Sequence, residues 1–84
     1  MKKRLVGQYI VVDSEICHGT PTFRGTRVFV ADVLKDVAHG RSWDEIIARW
    51  HGSITQAAIS EAVGLASQVF LEHVLEYVVE PATA

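Results

Sequence analysis

The chain has 84 residues, 49% of them hydrophobic and 21% charged, with a formal net charge of −2. That size and balance suit one small globular domain with little room for a second core, and no apolar run approaches the roughly 20 residues of a membrane-spanning helix. The start Met1-Lys2-Lys3-Arg4-Leu5-Val6-Gly7 is basic with no long apolar region after it, so no secretory leader is expected, and the single cysteine, Cys17, excludes an internal disulfide and fits a reducing cytoplasm.

Charge is spread unevenly. All eight Lys and Arg lie at or before Arg49, while the rest of the chain carries Glu61, Glu72, Glu76, Glu80 and no base. Residues 1–49 hold eight bases against six acids, or +2, and residues 50–84 hold −4, so the molecule is expected to be basic at its front and acidic at its back. Residues 1–84 form one expected domain: a basic arm at 1–8, a β element with its loop at 9–30, and helices over 31–80.

Tyr9-Ile10-Val11-Val12 is a short β-branched run and predicts a strand ending at Asp13. A second strand is predicted at Arg27-Val28-Phe29-Val30. Between them runs Gly19-Thr20-Pro21-Thr22-Phe23-Arg24-Gly25-Thr26-Arg27. Its glycines permit backbone angles that other residues avoid and its proline fixes its own φ, so this is a shaped loop that displays two arginines. A lone pair of strands is marginal in water, so the hairpin must lean on helices or on a second subunit.

The first helix is predicted over Ala31–His39. Val30, Val33, Leu34, Val37 and Ala38 recur at three- and four-residue spacing, and Gly40 stands where a C-terminal glycine belongs. Ser42-Trp43-Asp44-Glu45 matches a capping box and opens a second helix of about two turns, closed by His51-Gly52. Thr55 caps a third element whose apolar residues recur until Pro81, which predicts one long C-terminal helix of about 25 residues, about 37 Å. Gly64 within it marks a bend or a close approach.

On that helix Ile59, Ala62, Val63, Ala66, Phe70, Val74 and Tyr77 share one face, where His73 reads as a core histidine. Glu61, Gln68, Glu72 and Glu76 take the polar side, and Leu71, Leu75 and Val78 make a second apolar stripe. One apolar face suffices for packing on the first two helices. The second stripe has no partner left in so short a chain, so Leu71, Leu75 and Val78 are assigned to another subunit and a homodimer is expected.

Two short helices joined at His51-Gly52 and leading into a third resemble a helix-turn-helix, with Ala48 and Gly52 at the spacing of that motif's small residue and turn glycine. The same geometry serves three-helix packing with no nucleic-acid role. For DNA reading, Gln56 and Ser60 are the candidates for base contact, and Lys2, Lys3 and Arg4, as a mobile arm, with Arg24 and Arg27 on the loop, are the candidates for phosphate contact. Arg27 equally suits an ion pair with Asp13 or Glu15 across the hairpin, leaving Arg24 solvated.

No catalytic constellation emerges. Asp13 and Glu15 point to opposite faces of a continuing strand; Cys17 and His18 have no zinc-ligand spacing with His39, His51 or His73; and neither Gly19 nor Gly25 leads into a phosphate-binding loop. No enzyme activity, metal or cofactor is expected.

The order Ile10 to Val30, then an apolar helix, H-G-R-S-W-D-E-I-I and a Thr-opened helix resembles a bacterial family catalogued as domain of unknown function four hundred thirty-three. The likeness runs from about Ile10 to Ala66 and rests on Asp13, Glu15, Gly19, Pro21, Gly25, Thr26, Arg27, Gly40, Glu45 and Ile46. Trp50-His51-Gly52-Ser53 departs from it, standing one residue longer where many members have an aromatic-Pro pair. What the resemblance implies is a mainly α, homeodomain-like helix-turn-helix with a short N-terminal β-hairpin, usually dimeric, several members looking like antitoxins encoded beside a PIN-type nuclease toxin. The expected function is therefore that of an antitoxin-like protein that binds such a toxin, and operator DNA as a further partner. A DNA-binding transcriptional regulator without a toxin, or a purely structural dimerisation module, is the alternative.

Overall fold

A computed structural model of the chain describes residues 3–80. Strand β1 is Lys3–Val6, β2 is Ile10–Asp13 and β3 is Thr22–Phe23, arranged β1-β2-β3 in one antiparallel sheet. Helix α1 is Val30–Ala38, α2 is Trp43–Arg49 and α3 is Gln56–His73, followed by a 3-10 turn at Val74–Tyr77. The fold is mainly α with a small N-terminal sheet.

The expected basic arm is folded. Lys3 pairs with Asp13 and Arg4 with Val12 in the β1–β2 register, so both belong to an edge strand rather than to a mobile segment. Lys2 lies outside the described residues. Local chemistry alone would not order β1, since a hairpin needs a further support. Glu61 on α3 supplies it: its carboxylate accepts from the backbone N–H of Gln8 and of Tyr9, each at 2.8 Å. At that turn Gly7 has φ +73, and a Cβ on it would lie 2.6 Å from the Glu61 carboxylate.

The second strand also differs from expectation. β2 pairs with Thr22–Phe23, and the predicted strand at Arg27–Val30 supplies only a single bridge, Phe29 to Thr22. Phe23 N–H donates to the Val28 carbonyl at 3.0 Å and Val30 N–H to that of Pro21 at 3.1 Å, so the signature loop folds back on β3 before α1 begins at Val30. Within it Thr26 N–H and Oγ1 both donate to the Phe23 carbonyl, and Thr26 Oγ1 accepts from Val28 N–H at 3.0 Å. Gly25 has φ +79 at the third position of this turn, as a type II turn requires. Gly25 and Thr26 thus close the loop by themselves.

Helix starts follow the sequence closely because capping is local. Ser42 Oγ accepts from Glu45 N–H at 3.1 Å while the Glu45 carboxylate accepts from Ser42 N–H at 2.7 Å. Thr55 Oγ1 accepts from Ala58 N–H at the head of α3. At the end of α1, Gly40 N–H bonds the Val37 carbonyl and Arg41 N–H that of Asp36, the paired bonds of a Schellman turn.

Ile10, Phe23, Val30, Val33, Ile46, Ile54, Ala58, Ile59 and Ala62 form the buried core, where the sheet, α1, α2 and the first half of α3 meet. Beyond Ala66 every residue of helix α3 is exposed, and helix stability in proteins comes chiefly from packing. Winding leaves the α-helix at His73, well before Pro81, which lies outside the described residues. Gly64 sits in unbroken helix and a Cβ there would meet nothing, so it marks no close approach. His73 is not a core residue: its ring is half exposed and pairs with Glu76.

Candidate functional site

Two surfaces gather side chains in a way that the fold alone does not require. The first is apolar. Val69, Phe70, Leu71, Val74, Leu75, Tyr77, Val78 and Val79 are all exposed in the last turns of α3 and beyond, with Leu5 and Val6 of β1 exposed as well. Leu71 is 76% exposed and Leu75 83%. Phe70 and Tyr77 stack at a tilt with centroids 6.0 Å apart. With Val6, Pro21, Leu34 and Val69 they line a groove of about 430 Å3 that is open to solvent. Of the face assigned to internal packing, only Ile59 and Ala62 are buried; Phe70, Val74 and Tyr77 are exposed as well, though less than Leu71 and Leu75.

The second surface is polar, and none of the site residues expected from the sequence belongs to it. Asp36 is 5% exposed and sits on the inner side of α1, where helical periodicity continues the series Val30 and Val33. Its carboxylate takes Arg41 Nε at 3.4 Å on one oxygen, and on the other Arg49 Nε at 3.3 Å and the Trp50 Nε1–H at 3.1 Å. Burying a carboxylate is costly unless it is paired and hydrogen-bonded, and here two guanidiniums and an indole meet that need. The readable signal was an acid at a core-facing spacing of α1, followed by arginines just after α1 and at the end of α2.

The candidate DNA-contact residues lie on three parts of the fold: Lys3 and Arg4 on β1, Arg24 and Arg27 on the loop, and Gln56 and Ser60 on α3. Arg24 and Arg27 are exposed at either side of the Gly25-Thr26 turn, and among the described residues neither forms an ion pair. The pairing of Arg27 with Asp13 or Glu15 does not occur; the Asp13 carboxylate accepts from Glu15 N–H instead. Gln56 Nε2 donates to Asp44 Oδ1 at 3.1 Å, which ties the foremost base-reading candidate to an acid of α2. Ser60 is exposed. Glu61 is committed to the β1–β2 turn, not free on a polar face.

Among the described residues no helix is long and apolar enough to cross a membrane, and no three His, Cys, Asp or Glu side chains are gathered as metal ligands would be.

A family model described as protein of unknown function (DUF433) matches residues 10–66. The chain belongs to that family. Every residue of the buried core falls inside the match, and the exposed apolar run from Val69 onward falls beyond it. No curated protein and no solved structure matches the chain.

Proposed function

We propose, with membership of this family as the premise, that the chain is an antitoxin-like binding protein: a cytoplasmic homodimer that holds and restrains a nuclease resembling the PIN type. The uncovered apolar end of the molecule carries the reading. Its ten exposed large side chains leave on the order of 1,000 Å2 open, against the few hundred Å2 of a typical monomer's largest patch and about 800 Å2 per partner in a standard interface. Together the groove around Phe70 and Tyr77 and the stripe of Leu71, Leu75 and Val78 offer about the area of one standard interface, which a second copy and a partner protein would share. Glu72, Glu76 and Glu80 border the stripe, and carboxylates of this kind suit the basic groove of a ribonuclease.

Co-expression with the product of the adjacent gene, followed by a pull-down and a ribonuclease assay, tests this. A complex that loses nuclease activity, and that Leu71→Glu with Val78→Glu abolishes, supports it; absence of any complex rejects it.

A second reading rests on the four bases Lys3, Arg4, Arg24 and Arg27, all exposed and none in an ion pair among the described residues. In it the three helices act as a homeodomain-like helix-turn-helix on operator DNA. A gel shift on the gene's own upstream sequence at two salt concentrations separates it from the first: Arg24→Ala and Arg27→Ala must weaken binding and flatten the salt slope.

A further inference from the structure

We propose that the hollow between the C-terminal ends of α1 and α2 receives the phosphate group of a phosphate ester. It stands apart from the protein-binding reading and rests on different residues. The hollow has a volume of about 330 Å3 and is lined by Asp32, Lys35, Asp36, Arg41, Arg49 and Trp50, together with His39.

Local backbone chemistry places each of these groups. Lys35 and Asp36 lie in the last turns of α1, and the Schellman turn at Gly40 brings Arg41 back beside them, its N–H on the Asp36 carbonyl at 3.2 Å. Arg49 ends α2 and Trp50 is its C-terminal cap. The buried Asp36 carboxylate then fastens both guanidiniums by their inner nitrogen, Nε, while the side chains stay 45% and 51% exposed. Among the described residues no hydrogen bond engages the outer nitrogens of either fork. Arg49 also lies against the Trp50 ring, 5.9 Å from its centroid, which limits its swing.

Helix C-termini attract cations, and that accounts for Lys35 or Arg49 taken singly. It does not call for three cations around one hollow with two of them anchored on a single buried acid. Lys35, Arg41 and Arg49 face Asp32 and Asp36, so three positive charges meet two negative ones and one is left over for a ligand. Planar forks with open ends recognise tetrahedral oxyanions bidentately, and a lysine adds a mobile point charge. A phosphate monoester offers three peripheral oxygens to the two forks; a carboxylate, like a phosphodiester, offers two. The volume lies at the lower end of the roughly 300–1,000 Å3 of small-molecule sites, with space for part of the esterified group. Free nucleotides carry such a monoester in full; a nucleic-acid backbone shares its tetrahedral phosphate with one peripheral oxygen fewer.

The full chain is titrated with inorganic phosphate, with adenosine monophosphate and with a short single-stranded oligonucleotide, following the indole N–H resonances of the two tryptophans. Saturable movement of the Trp50 resonance with Trp43 unmoved is expected. Arg41→Gln and Arg49→Gln are each expected to weaken binding about tenfold, while Ser67→Ala, exposed on α3, binds as the parent does. Tighter binding of the nucleotide assigns a free metabolite, and tighter binding of the oligonucleotide assigns a backbone phosphate; both uphold the site. Acetate moving the Trp50 resonance as far as phosphate overturns it, as does undiminished affinity in both arginine variants. Should the variants lose their fold, the parent decides: a Trp50 resonance that no phosphate compound moves at about 10 mM, tenfold above a millimolar Kd, overturns the proposal.

Discussion

His51 occupies the left-handed position after α2, with φ 58, where glycine is the usual residue. Its N–H bonds the Ala48 carbonyl and Gly52 N–H bonds that of Ile47, so the same Schellman turn that ends α1 ends α2, one residue earlier than Gly52 suggests. The sequence shows a glycine near the helix end but not which residue bears the strained angle. His51 is exposed, so His51→Gly is expected to raise stability by about 1 kcal/mol, the cost of a side chain in that conformation. Thermal melts check it, with a rise of about 4–8 °C expected for a domain of this size. Thr22 is the other residue out of keeping with its surroundings, 1% exposed with no partner for its hydroxyl among the described residues. Leaving a buried hydroxyl unsatisfied costs about 1–3 kcal/mol, so Thr22→Val should hold or raise the denaturant midpoint. A fall of that midpoint would show that the hydroxyl is bonded after all. The position of Asp36 on the core side of α1 could be read, but its partners could not: Arg49 and Trp50 reach it only after the chain has formed a further helix.

At the scale of elements, what could be read was what neighbours in sequence decide. Ser42 with Glu45, Thr55 and Gly40 mark helix ends through bonds spanning a few residues, and the structure keeps all of them. Strand pairing is decided at a distance, and there the reading failed: β1 was hidden in a basic segment, and Arg27–Val30 resembled a strand more than Thr22–Phe23 did. The capping box carries a pH dependence. Donation from Ser42 N–H, and then from its side chain, holds the Glu45 carboxyl below its ordinary value of 4.5. A depressed carboxyl contributes stability that is present above its unfolded pKa and lost as pH falls through the folded one. Acidification from about pH 5 should therefore weaken the head of α2, and Glu45→Gln should flatten that part of the stability profile. The tie between α3 and the first hairpin gives a sharper test. Gly7→Ala adds a side chain at positive φ and drives it into Glu61, so a loss of about 2 kcal/mol is expected. In a Glu61→Ala background the steric part disappears, and a double-mutant cycle should recover a coupling of about 1 kcal/mol. Additive losses would mean that Glu61 does not hold the turn.

The whole molecule is longer than its residue count implies. Its radius of gyration is 14.6 Å, whereas a compact domain of this length is expected at about 12 Å. Helix α1 has nine residues and α3 eighteen, about 13 and 27 Å at the rise of an α-helix, so α1 cannot cover its neighbour. The surplus of apolar residues could be counted in the sequence, and hence the stripe Leu71, Leu75 and Val78 was legible. That the main face would also stand open at Phe70, Val74 and Tyr77 was not, because it depends on where α1 stops against α3. This geometry is the ground for the proposed self-association. Sedimentation equilibrium of the parent should return the mass of two subunits, and its thermal midpoint should rise with concentration, as linkage requires. Leu71 and Leu75 touch no part of the core, so Leu71→Glu with Leu75→Glu should leave the helical circular dichroism unchanged while giving the mass of one subunit and a midpoint independent of concentration. A parent chain that stays single at about 1 mM, where even a weak pair of about −4 kcal/mol would be half formed, would remove the basis for assigning this end of the molecule to partners.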